Sequence, residues 1–302
     1  MRFLDHARNH IESTLPDIEN RLADYIHRSI LPEGTNPHSA AWARHLGRDD
    51  GFLQDQELNN RPHILLIGSS GSGKTLILTF AYRQAARQFL SDDTAPFPIL
   101  LNLSDDLGTS QNIERALNNW NQNLFHRSRA EHPSGCALFL DGLDGAIRKS
   151  RDFINNLSFF IRDNDDILKQ LIVACHRAVW DPDWQKKLPN EIAIYSSDYL
   201  DDDSYREILP DRKSLRQFRE QCYSLGISAL LDTPFNGFYL AREFKDDRPL
   251  PQSRRECFDQ RIEEMLRGTG SDRNSGRAVP AGRLRFLARQ LACIASFSEN
   301  GM

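Results

Sequence analysis

The stretch HILLIGSSGSGKTLILTF, residues 63–80, decides how the rest of the chain is read. Ile64 to Ile67 is an unalternating apolar run, the pattern of a strand covered on both faces. Leu76, Ile77 and Phe80 recur at three- and four-residue spacing, which predicts a helix over 75–89. Between them, Gly68-Ser69-Ser70-Gly71-Ser72-Gly73-Lys74-Thr75 satisfies G-x-x-x-x-G-K-[ST] at every fixed position. Chance would place that pattern in about one in a hundred chains of this length.

The pattern is the phosphate-binding loop, or Walker A. Successive backbone N–H groups must turn inward around a polyphosphate, and only residues without a bulky Cβ let the chain wrap so closely. The following helix then directs its positive end at the same anion. Lys74 is expected to reach the β- and γ-phosphates, and the Thr75 hydroxyl to sit on magnesium.

Such a loop needs an acid at the carboxyl end of a neighbouring strand. The run Cys136-Ala-Leu-Phe-Leu-Asp141-Gly142-Leu143-Asp144 supplies one, with Asp141 as the candidate for the magnesium-bound water shell. Asp144 has two readings: it accepts the proton of an attacking water, or it caps the helix that begins around Ala146. A later apolar strand ends in Cys175-His176-Arg177, where a polar side chain can sense a γ-phosphate. His176 and Arg177 are both candidates.

Of 302 residues, 26% are charged and 39% hydrophobic, an ordinary globular balance with room for two domains. A formal charge of −4 supplies no global attraction to nucleic acid or anionic lipid. The five cysteines stand far apart with no C-x-x-C, which predicts reduced, buried thiols and a cytoplasmic setting. The amino terminus lacks the apolar core of a signal peptide, and no run approaches a membrane span.

Along the chain, residues 1–31 carry a helical stripe (Leu4, Ile11, Ile18, Tyr25) interrupted by Pro16, which predicts two short helices. Residues 32–62, with Trp42 in a short helical patch, read as a linker. Apolar runs at 64–67, 99–103, 137–140, 171–174 and 192–195 alternate with helical segments near 111–129 and 151–169. That alternation predicts an α/β three-layer sandwich on a mainly parallel sheet. From about 201 the strands vanish, and helices are expected at 211–225, 235–245, 252–267 and 279–297, with a break at 268–282. The resulting division is 1–60, 61–200 and 201–302. The arginines between 242 and 289 lack interleaved aromatics and read as a solvated helical face rather than a nucleic-acid surface.

With these residues in place, the chain resembles the NACHT-type members of the STAND class of signal-transducing P-loop NTPases (ASCE type), most of all bacterial members acting in antiviral defence. The likeness covers about residues 61–267. It rests on the loop at 68–75, on Leu140-Asp141-Gly142-Leu143-Asp144, on Ala174-Cys175-His176-Arg177-Ala178-Val179-Trp180, and on Asp232-Thr233-Pro234-Phe235. It implies that Pro234 packs against adenine, that ATP or ADP binds with Mg2+, and that the ATP state is a homo-oligomer working with an effector or sensor module. Three departures stand out. Gly145 replaces a second acid after Asp144, which implies slow hydrolysis; His176 rather than Arg177 falls in the family's arginine slot; and the chain stops before the family's winged-helix histidine, as expected of a fragment, a truncated gene product or one piece of a larger assembly.

The resulting expectation is an ATP-binding, slowly hydrolysing switch, without direct nucleic-acid or membrane binding. The rivals are a nucleotide-gated scaffold without hydrolysis, a small-molecule or nucleoside kinase, and a GTPase. Asp105-Asp106-Leu107-Gly108 fits D-x-x-G, but the chain has no N-K-x-D.

Overall fold

The computed structural model describes residues 3–21, 29–32, 53–54, 62–103, 131–132, 134–150, 152–189, 192–197 and 202–268. Among these, seven strands form one sheet: β1 (Ser29–Pro32), β2 (Leu53–Gln54), β3 (His63–Gly68), β4 (Phe97–Asn102), β5 (Cys136–Asp141), β6 (Leu168–His176) and β7 (Ala193–Ser196). Their spatial order is β2-β1-β7-β3-β6-β5-β4. The five from β7 to β4 run parallel, while β1 joins β7 and β2 joins β1 antiparallel.

The central strands are apolar without alternation because both of their faces are covered. All six residues of β3 are buried, and so are the first five of β5. β6 lies between β3 and β5, so the loop-bearing strand and the Asp141 strand are separated by one ribbon.

Helix α1 (Phe3–Arg21) is continuous through Pro16. The expectation of two short helices is therefore corrected: Ala7, Ile11 and Ile18 are buried in the sheet's core along one unbroken stripe. Burying each isoleucine contributes about 1.5–3 kcal/mol, which offsets the roughly 3 kcal/mol that an interior proline costs. The stripe seats α1 on α2 (Lys74–Ser91), with the Arg8–Asp93 and Arg87–Glu19 ion pairs at the contact. α2 in turn lies along the sheet through Ile77, Leu78, Ala81, Tyr82 and Phe89. Leu76, which the periodicity puts on the apolar face, is exposed: it stands in the first turn, beside the loop.

The expected linker at 32–62 is also corrected in part, since Pro32 lies in β1 and Leu53–Gln54 form β2. The helix expected at 151–169 is shorter. α3 (Leu143–Lys149) and α4 (Phe153–Asp163) precede it and form it, and Asn164 closes α4 with Nδ2 donating to the Phe160 carbonyl at 2.8 Å. β6 then starts at Leu168. The helices expected at 111–129 and 279–297, the Trp42 patch, the break expected at 268–282 apart from Gly268, which ends the last described helix, and the Asp105–Gly108 motif lie outside the described residues.

After β7 the described residues are helical: α5 (Asp202–Arg206), α6 (Arg212–Ser224), a short 3-10 turn (Ser228–Asp232), α7 (Pro234–Lys245) and α8 (Arg254–Gly268). Asp211 starts α6 by accepting the Ser214 N–H at 2.7 Å. These elements share a second apolar core around Tyr205, Phe218, Cys222 and Leu240. The Tyr205 hydroxyl reaches the Leu231 carbonyl at 2.8 Å only because position 237 is glycine: a Cβ there would lie 2.2 Å from the Tyr205 hydroxyl oxygen.

Candidate nucleotide-binding site

β3 ends at Gly68 and α2 begins at Lys74, so residues 69–73 of the Walker A stretch form the bend between them. Gly71 and Gly73 both take φ 76°, the left-handed region that L side chains resist. Left-handed residues interspersed in a turn bring backbone N–H groups to one concave side, the geometry of an anion nest. The Gly73 carbonyl already accepts the Ile77 N–H at 3.0 Å, which fixes the helix directly behind the bend.

Lys74 folds over this bend. Its Nζ donates to the Gly68 carbonyl at 2.7 Å and the Ser69 carbonyl at 2.8 Å, with a longer contact of 3.4 Å to Ser72 Oγ. An ammonium has three protons, and the Ser72 contact is the one a phosphate oxygen would replace at least cost. Ser72 is buried; its hydroxyl stands 2.8 Å from that of Ser197, which follows β7, and the Ser197 N–H donates to the Ile67 carbonyl at 2.8 Å.

The expected metal pair is brought together. Thr75 Oγ1 donates to Asp141 Oδ2 at 2.7 Å, across the intervening β6. The other carboxylate oxygen, Oδ1, accepts the Gly142 N–H at 2.9 Å, so the turn after β5 holds Asp141 in place. Among the described residues no group of three or more His, Cys, Asp or Glu gathers to form an all-protein metal cage. A hydroxyl beside a single carboxylate is a fit for magnesium, which takes one or two carboxylates and completes its shell with phosphate oxygens and water.

Asp144 does not cap its own helix. The cap of α3 is Gly142, with no side-chain bond, and Asp144 Oδ1 instead accepts the His176 N–H at 3.3 Å. That contact ties the start of α3 to the end of β6 and leaves Oδ2 as the oxygen that can take a proton. The Cys175 thiol next door is pushed up to about 12, first by burial and then by the Asp144 carboxylate, with Lys74 opposing.

His176 is the register partner of Gly68, which puts the end of β6 beside the start of the loop. Its Nδ1 accepts the Ala178 N–H at 3.1 Å. The Arg177 N–H donates to the Gly68 carbonyl at 3.0 Å, and its Nη2 donates to Ser196 Oγ at 2.7 Å, so this side chain reaches past the end of β3 to β7. Pro234 is buried in the first turn of α7, and the next residue, Phe235, donates its N–H to the Gly71 carbonyl at 3.2 Å. Ser197 carries no signal in the sequence, and Phe235 is marked there only as a member of the Asp232–Phe235 motif, without a role; the contacts of both join segments more than a hundred residues apart.

No protein-family model and no curated protein matches the chain. Among solved structures it is similar to the Aeropyrum pernix ORC1 protein in complex with DNA, at 16% identity over 85% of this chain and 78% of that one, TM-score 0.41. It is similar to AMPPCP-bound DnaA from Aquifex aeolicus at 16% identity, over 87% and 79%, TM-score 0.35. It is also similar to the A. pernix ORC2 protein in ADPNP–ADP complexes at 12% identity, over 84% and 80%, TM-score 0.34. The strand order and the loop themselves define the architecture: an α/β P-loop NTPase fold of the ASCE class, followed by helical elements.

Proposed function

We propose that the chain binds ATP with Mg2+ and hydrolyses it slowly, using the two nucleotide states as a switch. The observation that carries this reading is the 2.7 Å Thr75–Asp141 pair at the mouth of a glycine bend crossed by Lys74. A magnesium ion held there would neutralise charge on the β- and γ-oxygens. The chain's own part is positional: the bend supplies N–H groups, Lys74 a cation held across it, and Asp144 Oδ2 a proton acceptor beside the His176 N–H.

The finer reading is a STAND-class switch of NACHT type, ADP-bound at rest and oligomeric with ATP. It is supported by the position of Pro234, in a helix whose first turn bonds the loop. Its setting in antiviral defence rests on residue resemblance alone. A nucleotide has leverage only through its different affinity for the two arrangements.

Titration calorimetry with Mg-ATP, combined with labelled-ATP turnover, tests the proposal. Wild type is expected to bind ATP and turn it over, Lys74→Ala to lose binding, and Asp144→Asn to keep binding while turnover falls at least 100-fold. Light scattering should show ATP, and not ADP, enlarging the particle. No heat from Mg-ATP would overturn the reading. A second reading, a scaffold that binds ATP without hydrolysis, is favoured by Gly145 and by the bond that already engages Asp144; binding without turnover in wild type would select it.

A further inference from the structure

The loop is fastened from outside by the helical elements, and the fastening has three parts. Phe235 N–H, one of the α7 amides with no partner inside its own helix, donates to the Gly71 carbonyl at 3.2 Å. A Cβ placed on Gly71 would lie 3.2 Å from Phe235 Cβ, so the two residues are in close contact. On α8, the Arg261 guanidinium lies 4.1 Å from the centroid of the Phe235 ring and 4.7 Å from that of Tyr239, one plate spanning two rings of α7. Tyr239 is anchored in turn, its hydroxyl donating to Gln260 Oε1 at 3.2 Å.

We propose that Phe235 is a positioning residue for the phosphate loop and that Arg261 holds it in place, so that nucleotide affinity and docking of α7 and α8 rise and fall together. The proposal rests on the nucleotide reading above. In an anion nest the N–H groups face inward, which turns carbonyls outward, and the Gly71 carbonyl is the one Phe235 engages. Holding that carbonyl favours the left-handed Gly71 backbone, so less conformational freedom is lost when an anion arrives. Linkage is reciprocal: if docking tightens phosphate binding, bound phosphate tightens docking by the same factor.

The test uses the full chain and two probes, Mg-ATP and inorganic triphosphate with Mg2+, measured by titration calorimetry. A ligand-free thermal melt of each variant reports folding. Phe235→Ala and Arg261→Gln are expected to weaken both probes about 3- to 30-fold, and Phe235→Trp to restore wild-type binding. Equal affinities in Phe235→Ala and wild type would overturn the proposal. So would a loss confined to ATP, which would make Phe235 a base contact. If neither probe binds wild type, the nucleotide reading falls and this inference falls with it.

Discussion

Two side chains at the end of β6 compete for one role, and the geometry separates them. Arg177 reaches across to Ser196 and is engaged on the β7 side. His176 has its Nδ1 occupied by the Ala178 N–H, which makes Nε2 the ring nitrogen that carries the proton, on a residue in register with Gly68. A donor at that place discriminates ATP from ADP if it meets the γ-phosphate. His176→Ala is therefore expected to reduce the ratio of ATP to ADP affinity by about 10- to 100-fold, the worth of a hydrogen bond to a charged group. Arg177→Ala should change both affinities alike, and calorimetry with the two nucleotides checks this. The reverse pattern would assign the role to Arg177. The loop and Asp141 were legible in the sequence because their chemistry demands fixed spacing and a strand end. The choice between His176 and Arg177 was not, because adjacent residues differ only in where the folded backbone turns them. Asp144 was half legible: the pattern marked it, and only the fold shows its carboxylate on β6 rather than on α3.

Among the elements, α1 shows burial overriding a local rule. Pro16 is exposed within the helix, so its ring buries nothing while the N–H it lacks cannot bond back to residue 12. Pro16→Ala is expected to stabilise the chain, by up to about 3 kcal/mol, whereas Ile11→Ala, which empties a fully buried position, should destabilise it by about 2–5 kcal/mol. Urea unfolding of the two variants measures both; a Pro16→Ala variant less stable than wild type would show that the proline shapes the bend of α1 onto α2. The five parallel strands were readable as apolar runs because they are covered on both faces. β1 and β2 were not readable: four and two residues long at the sheet's edge, they carry no run and no alternation. The end of α4 was misplaced for a related reason, since apolar Ile167 and Leu168, buried where β6 begins, prolong a helical stripe as well as they begin a strand.

At the scale of the whole molecule, one core lies on the sheet and another among the helices after β7, and both contain buried thiols. Burial pushes Cys136, Cys175 and Cys222 from an ordinary value near 9.0 up to about 12. The neutral thiol is what the folded cores accommodate, so the stability these groups contribute is fully present below pH 9. Above it the unfolded chain releases thiol protons while the folded chain keeps them; the unfolded state then binds fewer protons, and stability falls as pH rises until the folded thiols ionise near 12. The slope approaches about 1.4 kcal/mol per pH unit for each thiol. Tyr82 and Tyr205, also raised by burial, act in the same direction at still higher pH. Urea midpoints measured from pH 8 to 11 should therefore be level up to about pH 9 and then fall steeply. Replacing Cys136, Cys175 and Cys222 together by alanine should flatten that fall while lowering the plateau. A wild-type midpoint unchanged between pH 9 and 11 would mean that the thiols meet water in the folded protein, and that neither core is closed around them.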